Sequence, residues 1–219
     1  MAHIGSGCVR MLSCVVLLST VVLKAGAEVG DMGPYYFQSV TVFAGQGVDH
    51  NLRELPGRLL VGDLAWERSY MHALGFQGGH RPLGKSWVIF DGTMLADVTQ
   101  GYELVLAKHR GRQDNIEVGV ACTLKTPARG FGDVRINLAT GIGLSYALGT
   151  PSYEDGAIDD PERRYRLQLL LLFDLEWSFA GMEEWALLTR VHHRSGGYGL
   201  IAPPHVGSNF LAAGIRYSF

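Results

Sequence analysis

Cysteine and long apolar segments are both scarce once the first 27 residues are set aside. Cys8 and Cys14 fall within those residues, so Cys122 is the single cysteine beyond them. No disulfide can then form within the remaining chain, and the fold must do without cystine cross-links. A later apolar run, residues 169–173, is closely flanked by charged residues. It is too short for a membrane-spanning helix, which needs about 20 residues.

Charge is also low and nearly balanced. Charged residues make up 18% of the chain, and the formal net charge is −2. Because no basic patch stands out, nucleic acid is not an expected partner. His192 and His193 are a poor metal pair, since neighbours on a strand point to opposite faces. We therefore expect no metal and no cofactor.

The N-terminus has the organisation of a secretory signal. Arg10 precedes an apolar run over residues 11–23, and Ala25-Gly26-Ala27 provides a small-residue cleavage pattern. We predict that residues 1–27 are a cleaved signal peptide and that residues 28–219 form one domain. The alternative is a transmembrane anchor, for which the apolar run is short.

The remaining chain alternates between apolar and small or polar residues with a period of two, which predicts strands. No segment keeps the helical period of 3.6 residues. Residues 45–65, with Pro56 and Gly57, read as a loop, the alternation over residues 66–76 is poor, and residues 78–96 are ambiguous. We count eight strands of about ten residues, the length of a tilted membrane-crossing strand. They cover residues 35–44, 66–76, 98–107, 116–124, 134–148, 166–179, 184–195 and 209–219.

The two faces of these strands favour a barrel in a membrane. In residues 134–148 one face is large and apolar, and the other is small or polar. A narrow barrel in lipid needs this pattern, with bulky side chains outside. A soluble lipocalin-like barrel with the apolar faces inward would be overfilled. We predict an all-β, eight-stranded antiparallel outer-membrane β-barrel in the cell outer membrane, ending on a strand that closes with the aromatic Phe219.

One strand carries polar residues on its apolar face. In residues 184–195, His193 and Ser195 share the face of the apolar side chains. Residues two apart on a strand lie about 6–7 Å apart, within reach of a hydrogen bond between their side chains. Such a pair can act as general base and nucleophile. With both termini in the periplasm, the pair lies at the extracellular rim, where lipid A offers ester-linked acyl chains.

Several segments resemble a known family. They are residues 191–196, 207–210 and 214–219, with shorter matches at 107–109 and 143–147. These residues resemble the lipid A 3-O-deacylase (PagL-type) family, also called acyloxyacyl hydrolases, which are outer-membrane proteins. The resemblance covers roughly residues 98–219.

The resemblance implies an eight-stranded outer-membrane barrel whose active site, a His-x-Ser pair plus a glutamate, faces lipid. By resemblance, His193 is the general base and Ser195 is the nucleophile, and no cofactor is implied. The glutamate of the family has no counterpart, because no acidic residue follows Ser195. Asn209 is the nearest residue to orient His193, a role that asparagine serves in some thiol proteases. Glycines after Ser195 would let backbone N–H groups approach an oxyanion.

Two functions stay open. One is an outer-membrane serine esterase that removes an ester-linked acyl chain from lipopolysaccharide. The other is a non-catalytic barrel that is structural, adhesive or lipopolysaccharide-binding. A small-solute channel is disfavoured, since an eight-stranded barrel has a filled interior. The acidic segment 154–162 is either solvated or bridges divalent cations on lipopolysaccharide. Expected partners are lipopolysaccharide and the outer membrane, and a homodimer remains open.

Overall fold

The computed structural model describes residues 37–82, 98–150, 165–203 and 206–219, and most of these residues lie in strands. The expected signal peptide and the acidic segment fall outside the described residues. The elements in chain order are β1 (Phe37–Val48), α1 (Leu55–Val61), β2 (Trp66–Pro82), β3 (Thr99–Gly111), β4 (Asp114–Lys125), β5 (Arg129–Phe131), β6 (Val134–Thr150), β7 (Leu167–Phe179), β8 (Met182–Ser195) and β9 (Gly207–Ser218).

The long strands form a closed antiparallel ring. Their order is β4-β3-β2-β1-β9-β8-β7-β6, and a pairing of β4 with β6 closes the ring. The first and last strands pair continuously from Ser39 opposite Ser218 to Val48 opposite Asn209. Short β5 forms a small hairpin with β6. The described residues thus confirm the predicted eight-stranded antiparallel outer-membrane β-barrel, a structure that leaves no strand edge open to lipid.

Bulky apolar side chains cover the outside of the barrel. Ile142 in β6, Phe173 in β7 and Ile215 in β9 are exposed by 58%, 41% and 53%, and each other long strand also exposes large apolar residues. This belt would be unfavourable in water but suits a hydrocarbon environment. The lipocalin-like alternative, with the apolar faces inward, is therefore wrong. The protein is located in the outer membrane.

The middle of the lumen is filled by side chains rather than open. Large apolar residues from several strands are fully buried there: Phe43, Met71, Leu170, Leu172, Leu188 and Phe210. The expectation of small residues inside holds for β4 and β6, where Gly119 and Gly141 make room for leucines of β7. A Cβ atom on Gly119 would lie 2.7 Å from Leu170 Cδ2, and one on Gly141 would lie 3.3 Å from Leu172 Cβ. Small and large inner residues are thus complementary across the lumen.

Charged residues inside the barrel are paired with one another. Arg190 donates from Nε to Asp174 Oδ1 at 2.7 Å and from Nη1 to Glu103 Oε1 at 2.6 Å. Nearer the end of the barrel where β1 begins, Glu176 accepts hydrogen bonds from Lys125 and Arg216. Such buried charges are tolerated because each has a partner, and removal of one partner would be costly.

Two local expectations were wrong. β1 continues to Val48 instead of ending at residue 44, because Gly45 and Gly47 permit close strand packing; a Cβ on Gly45 would meet Ala212 Cβ at 2.8 Å. The segment read as a loop contains helix α1, which begins with a proline in its first turn and ends at Gly62 with φ of 73°. Both residues are regular signals for helix ends. Among the described residues, no helix combines the length and hydropathy needed to cross a membrane.

Candidate functional site

The predicted site residues lie at one end of the barrel, which we call the upper rim. It is the end at which β1 and β8 finish and β9 begins, opposite the end at which the chain enters β1 and leaves β9. A shallow depression at this rim is lined by residues 48–52, 54, 193–195 and 206–209. We call it the rim depression. All three residues proposed from sequence, His193, Ser195 and Asn209, contribute to its lining.

His193 and Asn209 are brought together by the pairing of β8 with β9. They are directly opposite each other in the register. Their side chains are hydrogen-bonded, with His193 Nδ1 2.7 Å from Asn209 Oδ1. The Asn209 amide nitrogen in turn donates to the backbone carbonyl of His50 at 2.7 Å. The site therefore joins β8, β9 and the loop that follows β1.

The carbonyl of His50 determines which way the Asn209 amide faces. Only the NH₂ group of an amide can donate to a carbonyl oxygen, so the amide oxygen must turn toward His193. That oxygen accepts a hydrogen bond, so His193 Nδ1 carries the proton. Nε2 of the neutral imidazole is then unprotonated and can act as a base. Nothing in the spacing of the sequence indicates this contact, because His50 contributes a backbone atom.

Ser195 is the last residue of β8 and lies on the outer face with His193. It pairs with Gly207, just as His193 pairs with Asn209. Strand geometry separates side chains at i and i+2 by about 6–7 Å. The backbone N–H of Gly197 donates to Ser195 Oγ at 3.4 Å. The hydroxyl thus has one backbone donor directed toward it.

Gly196 has a packing role in the loop between β8 and β9. Its N–H donates to the carbonyl of Val206 at 3.0 Å, and its own carbonyl accepts from Ile201 and Ala202. A Cβ atom here would overlap the carbonyl oxygens of Ala202 and Pro203. Because its N–H is already bonded, Gly196 does not supply an oxyanion donor, whereas the N–H of Gly197 is directed toward Ser195.

The neighbours of His193 on β8 face the lumen. His192 Nε2 lies 3.0 Å from Glu117 Oε1, and Glu117 Oε2 is also 2.8 Å from His109 Nε2. Arg194 donates from Nε to Ser145 Oγ at 2.7 Å. His192 and His193 thus point to opposite sides of the sheet, as the alternation predicts. In the part of the chain that the structure describes, no group of three or more potential ligands could hold a metal ion.

One carboxylate lines the rim depression from an unexpected part of the chain. Glu54 Oε1 accepts from Asn51 Nδ2 at 3.1 Å, and Glu54 Oε2 lies 4.0 Å from His50 Nδ1. It precedes α1, in the segment that the sequence marked only as a loop. A glutamate therefore stands beside the depression, although no acidic residue follows Ser195.

No known family model matches the chain, and no curated protein matches it. Among solved structures, the outer membrane enzyme PagL is similar, with a TM-score of 0.53 and 15% identity over 83% of this chain and 99% of that chain. Neisserial surface protein A aligns with a TM-score of 0.46 and 14% identity over 86% of this chain and 100% of that chain. At such identities, the likeness to PagL establishes the fold of this chain, that of an eight-stranded outer-membrane barrel.

Proposed function

We propose that this chain is an outer-membrane serine esterase that removes an ester-linked acyl chain from lipid A, the substrate class implied by its sequence resemblance. The observation that carries the proposal is the 2.7 Å hydrogen bond from His193 Nδ1 to Asn209 Oδ1, on the same outer face as Ser195. A histidine oriented through one ring nitrogen and adjacent to a serine is the arrangement that activates a hydroxyl nucleophile.

The reaction assigns one role to each of the three residues. Ser195 Oγ attacks the acyl carbonyl carbon while His193 Nε2 takes the hydroxyl proton and Asn209 stabilises the imidazolium through Nδ1–H. The tetrahedral intermediate then expels the sugar oxygen, which takes that proton from His193. Water, deprotonated by His193, hydrolyses the acyl ester on Ser195 and releases a fatty acid. We assign the Gly197 N–H, which donates to Ser195 Oγ at 3.4 Å, as the backbone donor that would stabilise the former carbonyl oxygen.

The lipid substrate is inferred from where the site opens. The proposed nucleophile and base lie on the outer face, among side chains of the apolar belt, and not in the charged lumen. A substrate would therefore reach them from the leaflet. We place both termini in the periplasm, as in other even-stranded outer-membrane barrels, so the upper rim is extracellular. Lipopolysaccharide is the lipid at that depth. We further propose that residues 1–27 are the export signal, so N-terminal sequencing of the membrane-extracted protein should begin at Glu28.

Mass spectrometry of lipid A tests the esterase directly. Gram-negative cells expressing the wild type should lose the mass of one acyl chain from lipid A and accumulate the matching free fatty acid. Cells expressing Ser195→Ala at equal surface level should show neither change. Thr189→Ala is the matched control, because Thr189 is an exposed polar residue on the same face of β8 and lies outside the rim depression. Identical spectra for wild type and Ser195→Ala would reject the esterase.

A non-catalytic lipopolysaccharide-binding barrel is the second proposal. It is favoured by the chemistry of the residue bonded to His193 Nδ1, since the Asn209 amide carries no negative charge. An uncharged orienting group stabilises an imidazolium less than a carboxylate does. Binding of lipopolysaccharide by both wild type and Ser195→Ala, without acyl loss in either, would support this function over the first.

A further inference from the structure

Two segments at the upper rim expose large apolar side chains to an unusual degree. On α1, Leu59, Leu60 and Val61 are exposed by 56%, 87% and 75%. In the loop between β8 and β9, Tyr198 and Leu200 are exposed by 81% and 90%. We call these five residues the rim lip. They lie outside the strands, so the belt that covers the barrel wall does not account for them.

The fold holds the α1 part of the rim lip in a defined conformation. A helix of seven residues is too short to persist alone in water. Here Leu55 anchors its first turn, with 3% exposure. At its end, Gly62 adopts φ of 73°, and the N–H of Asp63 donates to the carbonyl of Arg58 at 3.0 Å. The exposed leucines are thus presented by a helix anchored at one end and capped at the other.

The two segments are tied to each other beside the rim depression. Arg53 Nη2 donates to Tyr198 Oη at 3.2 Å, and the guanidinium carbon lies 5.7 Å from the centroid of the Tyr198 ring. Arg53 directly precedes Glu54, which lines the rim depression, and Tyr198 follows Ser195 by three residues. The rim lip therefore borders the opening that contains His193 and Ser195.

Arg58, the single charged residue of α1, is paired within the loop. Arg58 pairs with Asp63, and its Nη2 atom lies 3.9 Å from Glu54 Oε2. A short helix that exposes three consecutive apolar residues and has its single charge paired suits an interface between headgroups and acyl chains. β2, the strand that follows α1, begins with Trp66 and carries Tyr70 four residues later, and these aromatic side chains are exposed by 53% and 45%. Aromatic residues mark the interface in such barrels.

We propose that the rim lip inserts into the outer leaflet at the boundary between headgroups and acyl chains, and that it seats the rim depression in lipid. The occupant of this surface is lipid, because the lip continues the apolar belt past the ends of the strands and carries no unpaired charge on α1 among the described residues. This inference concerns membrane seating and holds whether or not Ser195 is a nucleophile.

Depth-dependent fluorescence quenching tests the insertion. Cys122, which is exposed on the outer face, is first replaced by alanine. Single cysteines introduced as Leu60→Cys or Leu200→Cys are labelled with bimane, and the full barrel is reconstituted in phosphatidylcholine vesicles with plain or brominated acyl chains. Both labels should shift to shorter emission wavelengths and be quenched by bromine to a degree approaching a belt reference, Ile142→Cys.

The control is Arg112→Cys, in the polar turn between β3 and β4 at the same rim, which should show no bromine quenching. Quenching at positions 60 and 200 no greater than at 112 would overturn the proposal. The proposal would also be overturned if the unlabelled Leu60→Cys variant formed disulfide-linked dimers and its labelled form showed no bromine quenching. That result would make the rim lip a contact between two copies of the chain. The same measurement in a Ser195→Ala background should be unchanged, which separates this inference from the esterase.

Discussion

Replacing Asn209 with alanine removes the group that holds His193 in the proposed catalytic geometry. The substitution deletes the acceptor for His193 Nδ1–H and the donor to the His50 carbonyl. It leaves Ser195, Gly197 and the pairing of β8 with β9 in place. We therefore expect a folded barrel with lower kcat and little change in KM, because the bond is strongest when His193 carries the proton of the serine.

The size of the loss follows from the type of hydrogen bond. A bond from a charged imidazolium is worth about 1.5–3 kcal/mol. Since each 1.36 kcal/mol is a factor of ten in rate, kcat should fall by about 10- to 150-fold. This is smaller than the ~10⁴-fold loss in a serine protease when an amide replaces the carboxylate and imposes the wrong tautomer. Here the His50 carbonyl occupies the NH₂ group, so the amide offers its oxygen.

The assay is release of fatty acid from purified lipid A in detergent micelles, with the wild type, Ser195→Ala and Asn209→Ala compared at equal folded concentration. Folded protein is quantified by its shifted migration on unheated gels. A kcat for Asn209→Ala within twofold of the wild type, alongside an inactive Ser195→Ala, would refute the orienting role. A loss as complete as that of Ser195→Ala would also contradict the magnitude reasoned from an uncharged partner.

Three further substitutions probe separate parts of the structure. Gly196→Ala should abolish most esterase activity while the barrel still folds, because the added methyl overlaps the Ala202 carbonyl and displaces the loop after Ser195. Arg190→Ala should lower the free energy of unfolding in urea by about 3–5 kcal/mol, because it strands two buried carboxylates. Ile142→Arg, in the centre of the lipid-facing belt, should lower the free energy of unfolding from vesicles by about 2–4 kcal/mol.

Matched controls give each of these results a clear meaning. Gly130→Ala should leave activity unchanged, since nothing lies within 4 Å of an added Cβ at that position. Arg112→Ala removes an exposed ion pair with Glu67, so it should cost only about 0–1 kcal/mol. If Arg112→Ala were as damaging as Arg190→Ala, the interior charges would not be the stabilising feature. An Ile142→Arg barrel of normal stability would place that face away from lipid.

Alternation predicted most of the barrel wall, although it was poor over residues 66–76 and left residues 78–96 ambiguous, where the structure extends β2 to Pro82. Ile215 and Phe173 face outward and Arg190 and His192 face inward because successive side chains on a strand alternate, which depends on no long-range information. The pattern could not reveal which strands touch across the lumen. The bond between Arg190 and Glu103 joins residues 87 positions apart, and it follows from the curvature and closure of the sheet.

Alternation along β8 also predicted part of the candidate site. The placement of His193 and Ser195 on one face follows from their spacing, and Asn209 was identified as the nearest residue to orient the histidine. The contribution of the loop after β1 could not be foreseen, because His50 acts through a backbone carbonyl and Glu54 lies in a segment without periodicity. Pro56 and Gly57, which suggested a loop, belong to a short helix whose position depends on burial of Leu55.

The pairing of β1 with β9 has a consequence for assembly. Asn209 stands opposite His193 on one side and opposite Val48 on the other, so it lies where the first and last strands pair. The Asn209 amide can reach both His193 and the loop after β1 only when β1 and β9 are paired. A chain still travelling through the periplasm, with its final strand unpaired, lacks this three-way junction. Closure of the barrel on insertion thus completes the candidate site, and a chain that has not yet inserted lacks the proposed arrangement of His193 and Asn209.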